Sequence, residues 1–253
     1  MGVGGEFDVG PSAKPVAVSA PGGAPRGVLV TGTDTGVGKS VLAAAVCAGL
    51  AARGERVAAL KPVVTGLDEP PGEWPRDHEL LAAAASAGQA PEGVAPYRFG
   101  APVAPHYAAE LAGARIEPAR LLELARAATD ADALVVEGVG GIMVPITTGY
   151  LVRDLAVDLG LPVLVAARTG LGTINHVLLT LEAARSAGLR IAGVVMTPWP
   201  AEPEPIERSN RVTIERLGRV TVTGLPPTAP DALKEAGSAL PLDDWIAPNR
   251  RAV

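Results

Sequence analysis

The stretch Gly27-Val-Leu-Val-Thr-Gly-Thr-Asp-Thr-Gly-Val-Gly-Lys-Ser40 decides the fold. Its first five residues are an apolar run of strand-forming type, and the Ala- and Leu-rich residues that follow the lysine read as a helix over 39–53. Between the two lies a glycine-rich turn. Glycines let the backbone close round an anion so that several N–H groups point inward, and a helix starting there adds positive potential. Lys39 is then placed to reach the outer phosphates of a nucleotide, and the Ser40 hydroxyl to ligate magnesium. The spacing departs from the usual G-x-x-x-x-G-K-[ST]: five residues separate Gly32 from Gly38, so Thr33 takes the first-glycine position. Lysine is scarce, with Lys14, Lys39, Lys61 and Lys234 the full set of four, and one of them falls where such a loop requires it. The loop marks a nucleotide-phosphate site without naming a reaction.

Outward from this loop, short apolar runs alternate with helical patterns. Strands are expected over 57–60, 134–136, 162–166 and 191–196, and helices over 76–87, 118–128 and 175–187, with Pro118 at a permitted first-turn position. The strand runs are almost wholly apolar and do not alternate, as parallel strands covered on both faces require. The expected fold is therefore α/β: a doubly wound, mostly parallel sheet with helices on both faces, of the phosphate-loop NTPase type. Such sheets bind ligands beyond the carboxyl ends of their strands. Residues 27–253 are expected to form one domain, with the proline-rich stretch 198–205 a loop inside it. Residues 1–26 lack periodicity, and they lack the basic start and unbroken apolar stretch of a secretory signal. A disordered N-terminal extension is expected there.

Composition removes several classes of function. The 253 residues carry 22 basic and 27 acidic side chains, a net charge of 22 − 27 = −5, which argues against a bulk electrostatic grip on nucleic acid or anionic membrane. The single cysteine, Cys47, excludes an intrachain disulfide framework and a Cys-based zinc cluster. It falls inside the helix after the phosphate loop, where it reads as a small core residue. The apolar stretch 41–52, bracketed by Lys39 and Arg53, is far shorter than the roughly 20 residues of a membrane span. The expectation is a cytoplasmic protein with an aliphatic core, with no nucleic acid and no membrane as partner; composition does not say what it does.

Further segments narrow the chemistry. Leu60-Lys-Pro-Val-Val-Thr-Gly66 places Lys61 and Thr65 just past the second strand, on the same rim as the phosphate loop. Val135-Val-Glu-Gly-Val-Gly-Gly141 puts Glu137 at the end of the third strand, where a carboxylate can hold magnesium directly or through water. Asp77, in Arg76-Asp-His-Glu-Leu80, opens a helix, a place where an acid also simply favours the helix dipole.

Together these segments resemble the dethiobiotin synthetase family. The likeness is carried by the phosphate loop with its extra residue, Lys-Pro-Val-Val-Thr-Gly, Asp-His-Glu-Leu, and Glu-Gly-Val-Gly-Gly followed by Pro145. It extends to Tyr97-Arg-Phe-Gly-Ala-Pro-Val-Ala-Pro-His106 and Leu171-Gly-Thr-Ile-Asn-His176. The blocks occur in order over 28–193, and the likeness fades beyond them.

The resemblance implies a ligase that joins 7,8-diaminononanoate to CO2 with ATP and closes a cyclic urea. One amine takes up CO2 as a carbamate, the carbamate attacks the γ-phosphate to give a carbamic-phosphoric anhydride, and the second amine closes the ring as phosphate leaves. An anionic carbamate must then approach an anionic triphosphate. Two unit charges about 4 Å apart repel by about 1 kcal/mol in water and about 4 kcal/mol at an effective dielectric of 20, so fixed cations are needed.

By resemblance Lys61 is the main catalytic residue, with Lys39 beside it. Ser40, Asp77 and Glu137 go to magnesium (Mg2+), while Thr33, Thr65 and Lys61 go to the diamine or its carbamate. Gly36, Val37, Gly38, Lys39, Ser40, Val41, Asp77, Glu137, Gly138, Val139 and Gly140 surround the ATP. The main-chain N–H groups of Thr173, Ile174 and Asn175, at a helix start of the other subunit, hold the substrate carboxylate, which implies a homodimer with shared sites. His78, His106 and His176 are not needed as acids or bases.

The sequence departs from the family where adenine is read. Many members carry an Asn-Asp pair after the fifth strand; here Thr197-Pro198 stands in its place. Neither side chain offers the two-point amide contact of asparagine. Main-chain groups near Thr197 and the loop Leu225-Pro-Pro-Thr228, Pro226 included, are left to touch the base. Weak base discrimination follows as an expectation, with other nucleoside triphosphates serving too. Two alternatives remain at this point. One is another ATP-dependent amide-forming synthase of this fold, although those usually carry an amidotransferase domain with a nucleophilic cysteine. The other is a partition- or switch-type ATPase, although those place a signature lysine early in the phosphate loop, where this chain has Thr33, Asp34 and Thr35.

Overall fold

In the computed structural model, which describes residues 26–70, 72–128 and 130–246, the five apolar runs are parallel strands of a single sheet. They are β1 (Gly27–Gly32), β2 (Val57–Leu60), β3 (Ala133–Gly141), β4 (Val163–Ala167) and β5 (Ile191–Met196), joined by a short β6 (Val222–Gly224). The spatial order is β6-β5-β4-β1-β3-β2, with every neighbouring pair parallel. The order reverses at β1, which lies between β3 and β4, so the phosphate loop leaves the sheet at the point where ligand crevices form. Val30 stands opposite both Glu137 and Leu164, which brings Glu137 to the rim beside that loop.

Successive residues of β1 face opposite sides. Val28 and Val30 pack toward α1 (Lys39–Ala52) and α2 (Asp77–Ala84), while Leu29 packs toward the other layer. That second layer holds α3 (Pro118–Ala127), α4 (Val152–Leu159), α5 (Thr173–Ser186) and α6 (Pro205–Gly218). Both faces of the sheet are thus buried, which is why its strands read as unbroken apolar runs. α1 is alanine-rich because it is covered on two sides: a Cβ on Gly237 would lie 1.9 Å from the Ala45 carbonyl oxygen, so the helix Leu233–Ser238 meets α1 backbone to backbone. Cys47 is fully buried there, as its place in the helix suggests.

Among the described residues no further strand pairs with the outer edge of β2, and side chains take its main-chain groups. Val57 N–H donates to Ser86 Oγ (2.8 Å), Ala59 N–H donates to Gln89 Oε1 (2.8 Å), and Gln89 Nε2 donates back to the Ala59 carbonyl (3.0 Å). The Val57 carbonyl accepts from the N–H groups of both Ser86 and Ala87. Following that edge obliges the chain to leave the helix, so α2 ends at Ala84 and does not run to 87. The third strand is longer than the expected 134–136, continuing through the glycines to Gly141, and α5 begins at Thr173, two residues before 175. Gly172, at φ 91°, supplies the left-handed turn that allows the earlier start.

Residues 1–25, the bulk of the expected extension, lie outside the described residues. Arg26 already belongs to the fold: its guanidinium pairs with the Glu55 carboxylate and its carbonyl accepts from Leu134 N–H at 2.9 Å. Among the described residues no helix is long and apolar enough to cross a membrane.

Candidate active site

The carboxyl ends of β1, β2 and β3 open into a cavity of about 600 Å3. One side is built from the phosphate loop and from strand- and helix-end segments: Gly36, Gly38, Lys39, Ser40 and Val41 from the first βα turn, Lys61 and Thr65 after β2, Asp77 at the start of α2, and Glu137, Val139 and Gly140 on β3. The rest of the lining is largely apolar, with Val63, Val64, Trp74, Pro102, Val103 and Val144 beside the one carboxylate of Glu69. The two phosphate-loop glycines have positive φ, 69° at Gly36 and 84° at Gly38, which is the backbone freedom the turn needs.

Lys61 is 3% exposed and Glu137 fully buried. The Lys61 ammonium lies 2.5 Å from Glu137 Oε1 and 2.9 Å from Asp77 Oδ2, and it also donates to the Gly138 carbonyl at 3.2 Å. Burial alone would lower its pKa; the adjacent Glu137 and Asp77 carboxylates outweigh that and hold it up at about 12. Asp77 shows the reciprocal effect: partial burial would raise its carboxyl, and the Lys61 ammonium with the Ser40 hydroxyl brings it down to about 2. Burial pushes the Glu137 carboxyl above its ordinary value, with Lys61 opposing. Lys39 is held differently. Its ammonium donates to the Asp34 carbonyl at 2.8 Å, and its pKa is lowered by burial first and by repulsion from Lys61 second.

Ser40 Oγ lies 2.7 Å from Asp77 Oδ1 and 2.8 Å from Glu137 Oε1. A hydroxyl has one proton and can satisfy one carboxylate, so three hard oxygens crowd a point that hydrogen bonding alone does not balance. Glu137 Oε2, meanwhile, is buried without a partner. Both facts fit a divalent cation of the magnesium type, which prefers two carboxylates plus hydroxyl, phosphate and water oxygens to an all-protein cage. Among the described residues no group of three or more His, Cys, Asp or Glu side chains converges as a metal cage.

The remaining residues singled out by sequence lie around the cavity without lining it. Val37 is buried under the loop, packed against Gly32, and Gly138 offers its carbonyl to Lys61. Thr33 is pinned by its N–H to the Ala166 carbonyl at 3.0 Å. Thr197 is buried against the phosphate loop, its Cγ2 2.6 Å from where a Cβ on Gly38 would stand. Pro226 is exposed. Thr173 bonds to the Arg168 carbonyl at 2.7 Å, Ile174 is half-buried, and Asn175 is exposed. None of the three histidines reaches the cavity.

Sequence reasoning missed Trp74 and Arg168. The Arg168 guanidinium donates to the Thr35 carbonyl at 3.1 Å and lies 3.9 Å from Asp34, bracing the tip of the phosphate loop. Pro102 and Val103 sit in a block that the resemblance marked without giving it a task.

Comparison with known proteins bears on the identity of this site. An AAA domain family model matches residues 26–236. The ATP-dependent dethiobiotin synthetase BioD of Anaeromyxobacter dehalogenans is 45% identical over 214 residues, covering 84% of this chain and 95% of that protein.

The chain belongs to the dethiobiotin synthetase family.

The BioD of Bacillus subtilis, 36% identical over 211 residues, covers 83% of this chain and 90% of its own length. The similarity to dethiobiotin synthetases therefore runs well past the 28–193 span that the motifs marked. Among solved structures, a ParA family ATPase from Chlorobium tepidum TLS is similar at a TM-score of 0.47 and 15% identity, covering 89% of this chain and 94% of that one. That likeness is too distant to bear on function.

Proposed function

We propose that the chain is an ATP-dependent dethiobiotin synthetase that carboxylates 7,8-diaminononanoate with CO2 and closes the ring, releasing ADP and phosphate. The observation that carries this is the Lys61 ammonium fixed between Asp77 and Glu137, beside Ser40 and the phosphate loop, in a cavity whose remaining lining is largely apolar. The phosphate-loop side suits a triphosphate and a carbamate, and the largely apolar lining suits the aliphatic chain that separates the diamine from its carboxylate.

The chain's residues meet the charge problem in steps. The phosphate loop binds the triphosphate through main-chain N–H groups and Lys39, whose one direct partner is a carbonyl dipole and which so favours an incoming anion. Lys61, charged well above neutral pH and already anchored, presents its ammonium where carbamate oxygen and γ-phosphate approach. Ser40, Asp77 and Glu137 would hold magnesium, which when bound neutralises charge on the outer phosphate oxygens. The carbamate oxygen forms a bond to phosphorus as ADP departs. The second amine then bonds to the carbonyl carbon as phosphate departs, with the amine protons passing to solvent. No side chain forms a covalent intermediate.

A homodimer completes the site in this reading. Thr173, Ile174 and Asn175 stand outside their own chain's cavity; the Thr173 N–H bonds to the Gly170 carbonyl at 3.4 Å, so in this reading the Ile174 and Asn175 N–H groups serve the second copy. Leu171, just before that helix start, and Leu179, in the middle of the helix, are 93% and 61% exposed, apolar surface suited to such a contact. For the nucleotide, the Thr197 side chain is taken up in packing on Gly38 and supplies no amide to a base edge. Preference for ATP over CTP or GTP in kcat/KM is accordingly expected below about a hundredfold, roughly 2.7 kcal/mol.

The deciding test is to incubate the protein with diaminononanoate, bicarbonate, magnesium and ATP and to look for the cyclic urea by mass spectrometry. Its absence, with ATP bound, overturns the reading.

A further inference from the structure

The turn that follows Lys61 is held by a side chain to which neither the nucleotide nor the carbamate assigns a task. After β2, residues 62–69 carry Thr65 and Gly66 along the cavity wall and then fold back, with Glu69 N–H bonded to the Gly66 carbonyl at 3.2 Å. The N–H groups of Gly66, Leu67 and Asp68 bond to the carbonyls of Ala101, Phe99 and Gly100 at 3.0, 3.2 and 3.0 Å. The turn's own carbonyls point the other way, toward one guanidinium. Arg76 Nη1 donates to Gly66 (3.1 Å), and Nη2 donates to Leu67 (3.0 Å) and Glu69 (2.5 Å).

Arg76 is also the residue immediately before α2, where its N–H donates to the Glu79 carboxylate at 3.1 Å. The next residue is Asp77, whose carboxylate reaches both Ser40 and Lys61. A single planar fork therefore ties the substrate-side wall of the cavity to the helix start that carries a carboxylate of the catalytic cluster. An arginine fork can serve several carbonyls at once; a lysine ammonium is a compact point donor on a flexible stem, and alanine serves none.

We propose that Arg76 is a positioning residue for the diamine: it fixes the 66–69 turn against the Asp77 end of α2, so that the wall beside Thr65 keeps its distance from Lys61. The proposal rests on the dethiobiotin synthetase reading for the substrate's identity and on nothing remote for the geometry. Arg76 makes no bond to the phosphate loop, so its removal is expected to act on the diamine and not on the nucleotide.

The test compares the full-length wild type with Arg76→Ala and Arg76→Lys. Amide hydrogen exchange at Leu67 and Asp68 is expected to quicken at least about tenfold in Arg76→Ala while α1 and β3 keep their protection. The KM for diaminononanoate is expected to rise about 10- to 100-fold with kcat within about threefold, the signature of lost uniform binding. The Kd for ATP should not move, and Arg76→Lys should fall between the two. Unchanged exchange in a folded Arg76→Ala overturns the proposal, as does an unchanged KM in both variants or an equal loss of ATP affinity. If Arg76→Ala does not fold, Arg76→Lys carries the same measurements. A wild type that binds ATP but makes no cyclic urea defeats the functional reading alone, and the exchange measurement still decides the role of Arg76.

Discussion

Lys39 and Lys61 are 7% and 3% exposed, stand on one rim of one sheet and line one cavity, yet the chain holds them in opposite ways. The Lys39 ammonium meets a single main-chain carbonyl, and burial lowers its pKa. The Lys61 ammonium meets two carboxylates, which raise its pKa to about 12 against the same burial. Burial alone therefore does not set the behaviour of a lysine; the partners do. The phosphate-loop side keeps a cation with no carboxylate in direct contact, which suits affinity for an anion. The β2 side keeps a cation already compensated and locked in place, which suits geometry. In the proposed mechanism the first region binds and the second aligns.

The largest effect that would break this contrast concerns turnover. Lys61→Ala should lower kcat by at least about 1000-fold, roughly 4 kcal/mol of barrier, while the Kd for ATP stays within about threefold. Measured below the variant's melting temperature, near-normal turnover would remove Lys61 from the mechanism.

Next comes stability without ligand. Lys61→Met leaves Glu137 and Asp77 buried or half-buried without their cation, a loss on the order of 3 kcal/mol by analogy with broken buried ion pairs. Lys39→Met removes an ammonium that burial already disfavours, so its change should stay within about 1 kcal/mol. Denaturant melts of both variants sharpen the comparison, and equal losses would show that the two lysines are held alike after all.

The smallest effect tests the phosphate-loop side through its packing. Gly38 combines a positive φ with a Thr197 methyl group 2.6 Å from any added Cβ. Gly38→Ala should weaken ATP about tenfold, and adding Thr197→Ser, which deletes that methyl, should recover part of the loss. Titration calorimetry on the two variants reads both numbers.

The parts of the site that the sequence made legible are those set by local spacing. Lys39 and Ser40 follow a strand and a glycine turn, and Glu137 closes an apolar run, so chain order alone places them on the rim. The meeting of Lys61, Asp77 and Glu137 is not local. It depends on β3 lying between β1 and β2, an order that no run of residues displays, and it was reached only through resemblance. Trp74, Arg76 and Arg168 act from loops or element ends with no periodicity to mark them. β6 is three residues with a threonine at its centre, too short for a pattern. The sequence also showed that Thr197 lacks an amide, while its packing on Gly38 became visible only once β1 and β5 were set on either side of β4.

The Gln89 side chain that mimics a strand along β2 has a consequence for how copies of this chain can meet. A primary amide presents one donor and one acceptor in the pitch of a peptide group, so the β2 border of the sheet is closed from within at Ala59. Lateral growth of the sheet into a continuous ribbon is thereby blocked at that border.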